Sequence, residues 1–385
     1  MSNIYFDHNA TTPPAPEVVK AVTNCMSQVW ANASSQHSPG QVAKQRLSQS
    51  RATVSRFLNC KPSELVFTSC ATEANHMAIH GALARSGRSR LLISAVEHAG
   101  LHKLAQQLPD VQVDWMPVQP NGELNLDAAR ALMRDDLALV SLMAANNETG
   151  VLMHIAEMAA LAHAHGTLLH VDATQWIGKL PFDFRASGAD LVSVSAHKFN
   201  GPKGVGALIV RHGLAWPAWV VGSQERGRRG GTENLPAIAG FAAAAELHMA
   251  GAPLHERAAH TARLRDLLEQ GLLSALPGTV VYGAGAPRLP NTICLRFGLL
   301  PAELVLQRFE RLGVIASSGS ACASAGSEPS HVLTAMGASR DEALCAVRLS
   351  LDPSTTEAQV RRVLEALPPE LGPLMREMSE VAELA

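Results

Sequence analysis

Lys198 lies in "LVSVSAHKFNGPKGVG" (residues 191–206), where a run of alternating Val and Ser gives way to His197, the lysine and a glycine-rich loop. An ammonium group loses hydration that an apolar interior cannot replace. A lysine just past a strand therefore either returns to solvent or is put to use. The loop itself is not a nucleotide loop. A nucleoside-triphosphate loop needs GxxxxGK followed by Ser or Thr, and a dinucleotide fingerprint needs GxGxxG opening a helix, whereas "GVGALIV" opens a strand.

Upstream, "LLHVDATQWIG" ends an apolar run on Asp172, with Gln175 three residues later. Alone, such an aspartate caps the following turn. Paired with a strand-end lysine about one βαβ unit on, it matches the needs of pyridoxal phosphate: a carboxylate for the pyridinium nitrogen and an amine for a Schiff base. That cofactor also needs a phosphate cup. "FTSCATEANHMAIHGAL" places Thr72 where a strand turns into a helix, and the N–H groups and dipole of a helix start favour an anion. Thr72 is equally suited to capping that helix, and the two roles are compatible. Ser195 and His197 flank the end of the lysine's strand and can add donors. His98, in "SAVEHAG", ends another strand at the same expected edge; alone it reads as structural, but beside a cofactor it can stack on the ring and shuttle protons.

Cys322 lies in "ASSGSACASAGSEPSHVL", where Gly, Ser and Ala on both sides predict a flexible tether carrying a reactive thiol. Cys294, within "NTICLRF", reads as a buried core residue. His163 and His165 alternate at an expected helix end, so their rings point to different faces and no metal site is expected. Arg226, Arg228 and Arg229 share the loop "SQERGRRGGTENLP", which is either solvated or serves a subunit contact or an anion.

These residues need a scaffold. Seven short apolar runs, "ELVFTS", "RLLISAVEH", "VQVDWMPV", "ALVSLMAANN", "LLHVDATQ", "DLVSVSAHK" and "VGALIVRHG", alternate with Ala-rich segments of helical period. That alternation predicts an α/β fold with a mostly parallel, doubly wound sheet covered on both faces. A large domain is expected over residues 16–255. A smaller α+β domain, made of 1–15 and 256–385, would carry the cysteine loop.

The 385 residues hold 32 Lys and Arg against 34 Asp and Glu, which gives no electrostatic case for nucleic acid or a membrane surface. No apolar run reaches a membrane span, the first residues do not read as a signal peptide, and the six dispersed cysteines suit a reducing compartment. A soluble, cytoplasmic protein acting on a small molecule is the expectation.

The full constellation resembles the pyridoxal phosphate-dependent cysteine desulfurases of the NifS/IscS type, within the class-V aminotransferase family. The resemblance runs nearly end to end. It rests on "YFDHNATTP", "TSCATEAN", "EH" at 97–98, "NNETGV", "HVDATQ", "SAHKFNGPKGVG", "ERGRRGGTENLP", "SSGSACASAGSEPSHVL" and "VRLSL", in the family's order. The chain departs from the pattern at Ala33 and in "LDPSTT".

This resemblance implies fold type I of the pyridoxal phosphate enzymes. It makes Lys198 the Schiff-base lysine, Asp172 the partner of the ring nitrogen, Gln175 the partner of the ring hydroxyl and His98 the stacking residue. Thr72, Ser195 and His197 would hold the phosphate, joined by Thr232 from the other subunit of a homodimer. Asn147 and Arg348 would bind L-cysteine, and Cys322 would carry its sulfur as a persulfide to an acceptor protein such as an iron–sulfur scaffold. A selenocysteine lyase, an aminotransferase, a β-lyase or a non-catalytic carrier of the same fold are the alternatives at this point.

Overall fold

The computed structural model describes residues 3–319 and 328–384. After a short first strand, β1 (Ile4–Tyr5), the seven apolar runs become β2 (Leu65–Thr68), β3 (Arg90–Ser94), β4 (Gln112–Met116), β5 (Leu137–Met143), β6 (Leu169–Asp172), β7 (Leu191–Ser195) and β8 (Gly206–Val210). They form one sheet in the order β2-β8-β7-β6-β5-β3-β4. All neighbours are parallel except those of β8, which runs against both β7 and β2. The α/β class and mostly parallel sheet expected from the sequence are what the chain builds.

Successive strand residues point to opposite faces, and the two faces bury different cores. Leu91 and Ile93 of β3, Val66 of β2 and Leu208 and Val210 of β8 pack with Ala74, Met77, Ala78 and Ala82 of the helix Ala71–Ser86. Their neighbours Leu92, Leu65, Phe67, Ala207 and Ile209 face the opposite core, with Ile238 and Phe241 of the helix Leu235–Ala250. Coverage of both faces explains why these strands are apolar almost throughout. Each buried Leu, Ile or Phe contributes about 1.5–3 kcal/mol.

The helix Leu254–Ala275 leads to β9 (Thr279–Tyr282), β10 (Thr292–Phe297), β11 (Val314–Ile315), β12 (Ser317–Ser318) and β13 (Val347–Ser350). Four of them make an antiparallel sheet in the order β12-β13-β10-β9, and β11 pairs with β1. Leu264, Leu268 and Leu272, spaced by one helical turn, pack under this sheet with Val360, Val363 and Leu367 of the helix Glu357–Leu384.

The segment after β1 bridges the two sheets. The His8 N–H donates to the Ser350 carbonyl on β13, while the Thr12 N–H donates to the His197 carbonyl beside β7. Among the described residues no single helix is long and apolar enough to cross a membrane.

Candidate active site

In open α/β sheets, ligand clefts form beyond the carboxyl ends of the parallel strands. Here those ends enclose a cavity of about 190 Å³, lined by Thr72, His98, Asn147, Asp172, Gln175, Ser195, His197 and Lys198, together with Cys70, Ala71, Asn75, Met143, Ala145 and Thr174. Most of the residues singled out in the sequence thus converge from five strands.

Lys198 closes a single 3-10 turn, Ala196–Lys198, at the end of β7. The chain then folds back so tightly that a Cβ on Gly201 would lie 2.6 Å from the Ala196 carbonyl oxygen, which accepts the Gly201 N–H at 3.0 Å. The fold-back behind the lysine's turn therefore leaves no room for a side chain at residue 201. Lys198 Nζ donates to the carbonyls of Asn9 at 2.6 Å and Ala10 at 2.9 Å.

Asp172 ends β6, and both of its oxygens accept hydrogen bonds. Oδ2 takes one from Asn75 Nδ2 at 2.7 Å and Oδ1 takes one from the Thr174 N–H at 3.0 Å. His98 is the N-cap of the helix Ala99–Gln107, and its Nδ1 accepts the Gly100 N–H at 3.1 Å. That bond leaves the proton of the neutral ring on Nε2. Burial pushes the His98 pKa below its ordinary value against the pull of Asp172, with Lys198 and His331 acting in the same direction as burial. Burial, then Lys198 and Lys203, lowers His197 to about 4, and its Nδ1 lies 3.1 Å from Thr11 Oγ1.

Arg348 stands on β13, behind Asn147. It donates to the Asn147 carbonyl at 3.1 Å and to Asp7 Oδ1 at 2.7 Å. Thr232 is not in this cavity; it lines a separate hollow with Thr68, Ser69 and Arg229. Cys322 lies outside the described residues. Cys294 is buried, as expected, and burial raises its thiol pKa. His163 and His165 turn to different carboxylates, Asp190 at 2.9 Å and Asp135 at 2.8 Å.

The fit to pyridoxal phosphate can be judged on polar atoms left over. Ser195 Oγ, Asn75 Oδ1, Asn147 Oδ1 and Thr174 Oγ1 are buried in the lining without a hydrogen-bond partner among the described residues. Buried polar atoms are nearly always paired, so a cluster of orphans around one cavity marks the seat of a polar ligand. The helix Ala71–Ser86 starts at the same wall, and its N-cap, Cys70, supplies no side-chain cap bond. Its first N–H groups suit a phosphate. Amine, carboxylate and anion seat together fit the cofactor.

Sequence reasoning passed over Asn75, which aims Asp172, and Asp7, which pairs with Arg348. It also missed Asn9, whose carbonyl receives both Lys198 and Gln175. All three lie within motifs already quoted, but their partners are 97, 341, 189 and 166 residues away. No local spacing signals such pairs. Lys179 was missed as well, its partner Asn9 lying 170 residues away.

A family model described as "Aminotransferase class-V" matches residues 4–363. The chain is 42% identical to a cysteine desulfurase of Cereibacter sphaeroides over 375 residues, 96% of each chain. It is 41% identical to the cysteine desulfurase NifS of Azotobacter vinelandii, over 96% of this chain and 92% of that one. Among solved structures, a NifS-like protein superposes with a TM-score of 0.88 at 32% identity, over 96% of this chain and 99% of the other. A NifS-like protein from Rickettsia africae gives 0.85 at 31%, over 94% and 98%.

Proposed function

The chain belongs to the class-V aminotransferase family, and from that premise we propose that it is a pyridoxal phosphate-dependent cysteine desulfurase, converting L-cysteine to L-alanine and a protein-bound persulfide. The observation that carries this reading is the convergence of Lys198, Asp172 and the orphaned polar atoms on one cavity.

Bound there, pyridoxal phosphate supplies an electron sink for the charge that develops when the substrate loses its α-proton. Lys198 would anchor it through Nζ and would move the substrate's α-proton. Asp172, held by Asn75 and the Thr174 N–H, keeps a proton on the ring nitrogen. Thr72, Ser195, His197 and the start of the helix Ala71–Ser86 would hold the phosphate, and Gln175 would donate to the ring hydroxyl. His98 would stack on the ring and, through Nε2, would exchange protons with the substrate thiol.

Arg348 and Asn147 receive the substrate carboxylate by charge-assisted hydrogen bonds. The Cys322 thiolate then attacks the substrate sulfur. The S–S bond forms as the Cβ–S bond breaks, and its electron pair passes to Cβ, which takes up a proton and becomes the methyl group of alanine. The persulfide sulfur passes on to an acceptor protein such as an iron–sulfur scaffold. The working form in this reading is a cytoplasmic homodimer, in which Thr232 of each chain completes the other's phosphate site.

Two measurements test the proposal. Protein loaded with pyridoxal phosphate should gain visible absorbance and form alanine and sulfide from L-cysteine under reducing conditions. Cys322→Ser should keep the absorbance and lose sulfide release; undiminished turnover would remove Cys322 from the reaction.

A further inference from the structure

Lys179 carries a buried amine to which the reaction above assigns no part. It follows Gly178, whose φ of 80° and close approach to Phe199 turn the chain after β6 inward. Its Nζ donates to Gln175 Oε1 and, at 2.9 Å, to Asn9 Oδ1. Gln175 Nε2 in turn donates to the Asn9 carbonyl at 3.0 Å.

Which end of a glutamine amide is nitrogen must be settled by its partners, and here both partners agree. A lysine amine facing two acceptors acts as donor, and a backbone carbonyl can only accept. Flipping the amide would set N–H against N–H on one side and oxygen against oxygen on the other. With Oε1 taken by Lys179 and one Nε2 hydrogen taken by Asn9, a second N–H is what Gln175 has left to offer the cavity it lines.

Asn9 makes the arrangement rigid. Its Oδ1 also accepts from Asn291 Nδ2 at 3.1 Å, and its Nδ2 donates to Thr292 Oγ1 at 2.9 Å. Burial, reinforced by Lys198 and Arg348 and opposed by Asp352, pushes the Lys179 pKa well below its usual value. A neutral amine still has the two N–H groups that these two acceptors require.

We propose that Lys179 is a positioning residue: it locks the Gln175 amide so that an N–H faces the ring oxygen of the cofactor. This rests on the reading of Gln175 given under the proposed function. A donor at that oxygen competes with the proton shared between the oxygen and the Lys198 nitrogen. Its loss therefore raises the pH at which the visible absorbance of the loaded protein changes.

The test is a double-mutant cycle read by pH titration of that absorbance, without substrate. Lys179→Met should move the midpoint up by about half to one pH unit, as expected for one lost hydrogen bond. Gln175→Ala should do the same, and adding Lys179→Met to Gln175→Ala should move it no further. A shift that persists in the Gln175→Ala background would show that Lys179 acts by its charge alone, and would overturn the proposal.

If Lys179→Met does not fold, Lys179→Arg keeps donors on a chain of similar reach. A wild-type midpoint supports the proposal, and a shift as large as that of Gln175→Ala contradicts it. Wild-type protein that gained no visible band would instead refute the proposed function, so the two failures are distinct.

Discussion

The two sides of the active site are prepared for their ligands in opposite ways. On the large-sheet side, the proposed phosphate seat includes neutral donors left open: Ser195 Oγ has no partner among the described residues, and the helix Ala71–Ser86 starts without a side-chain cap bond. On the small-sheet side, Arg348 is 2% exposed, and its charge is already met by Asp7 of its own chain. The contrast follows from the cost of leaving each group alone. An unpaired buried hydroxyl costs about 1–3 kcal/mol, whereas an unpaired buried guanidinium costs more, about 3–5 kcal/mol. A cradle can wait empty for its cofactor, but a buried cation needs a stand-in carboxylate until substrate comes. In the proposed function, substrate binding would then exchange one carboxylate for another and keep the arginine paired throughout.

The comparison can be broken first at Glu148, beside Arg348. This carboxyl is buried, accepts from Ser330 Oγ at 2.5 Å, and is raised to about 7 chiefly by burial. The folded protein holds that proton more tightly than the unfolded chain, so the stability it contributes is full below about pH 4.5 and falls as pH rises through 7. Glu148→Gln lacks this titration and should gain on wild type by on the order of 3 kcal/mol between pH 4.5 and 8. Melting curves across that range check it, and a pH-independent difference would refute it.

Next, Arg348→Lys keeps a charge but loses the fork that spans two partners. It should lower kcat/KM for L-cysteine about 10- to 100-fold while leaving the cofactor's absorbance in place. A loss of absorbance would mean that the two sides are not separable. The smallest effect is expected at Ser195→Ala, which should weaken pyridoxal phosphate binding about tenfold. The cofactor-free protein should melt no lower than wild type, because this hydroxyl has no hydrogen bond to lose among the described residues. A marked drop in melting temperature would show that Ser195 serves the fold.

The sequence carried the sheet well because each strand is a short, fully buried run, and burial on both faces leaves an unmistakable apolar signature. The reversed direction of β8 left no such trace, since antiparallel and parallel strands buried on both faces share one composition. Lys198 and Asp172 were legible because both sit at strand ends in a fixed order along the chain. Lys179 was not. Nothing local in "TQWIGKLP" marks it, and only the fold reveals that its amine is enclosed by Asn9, from the first residues, and Gln175. Asp7 was hidden for the same reason, its partner lying on β13.

The central claim is that Lys198, which lines the cavity, and not Lys179, which bonds the lining residue Gln175, bonds the cofactor. Borohydride reduction of the pyridoxal phosphate-loaded protein, followed by peptide mass spectrometry, reads this directly. The account predicts one reduced pyridoxyl adduct per chain, on Lys198. An adduct on Lys179 or elsewhere, or none at all, would contradict it.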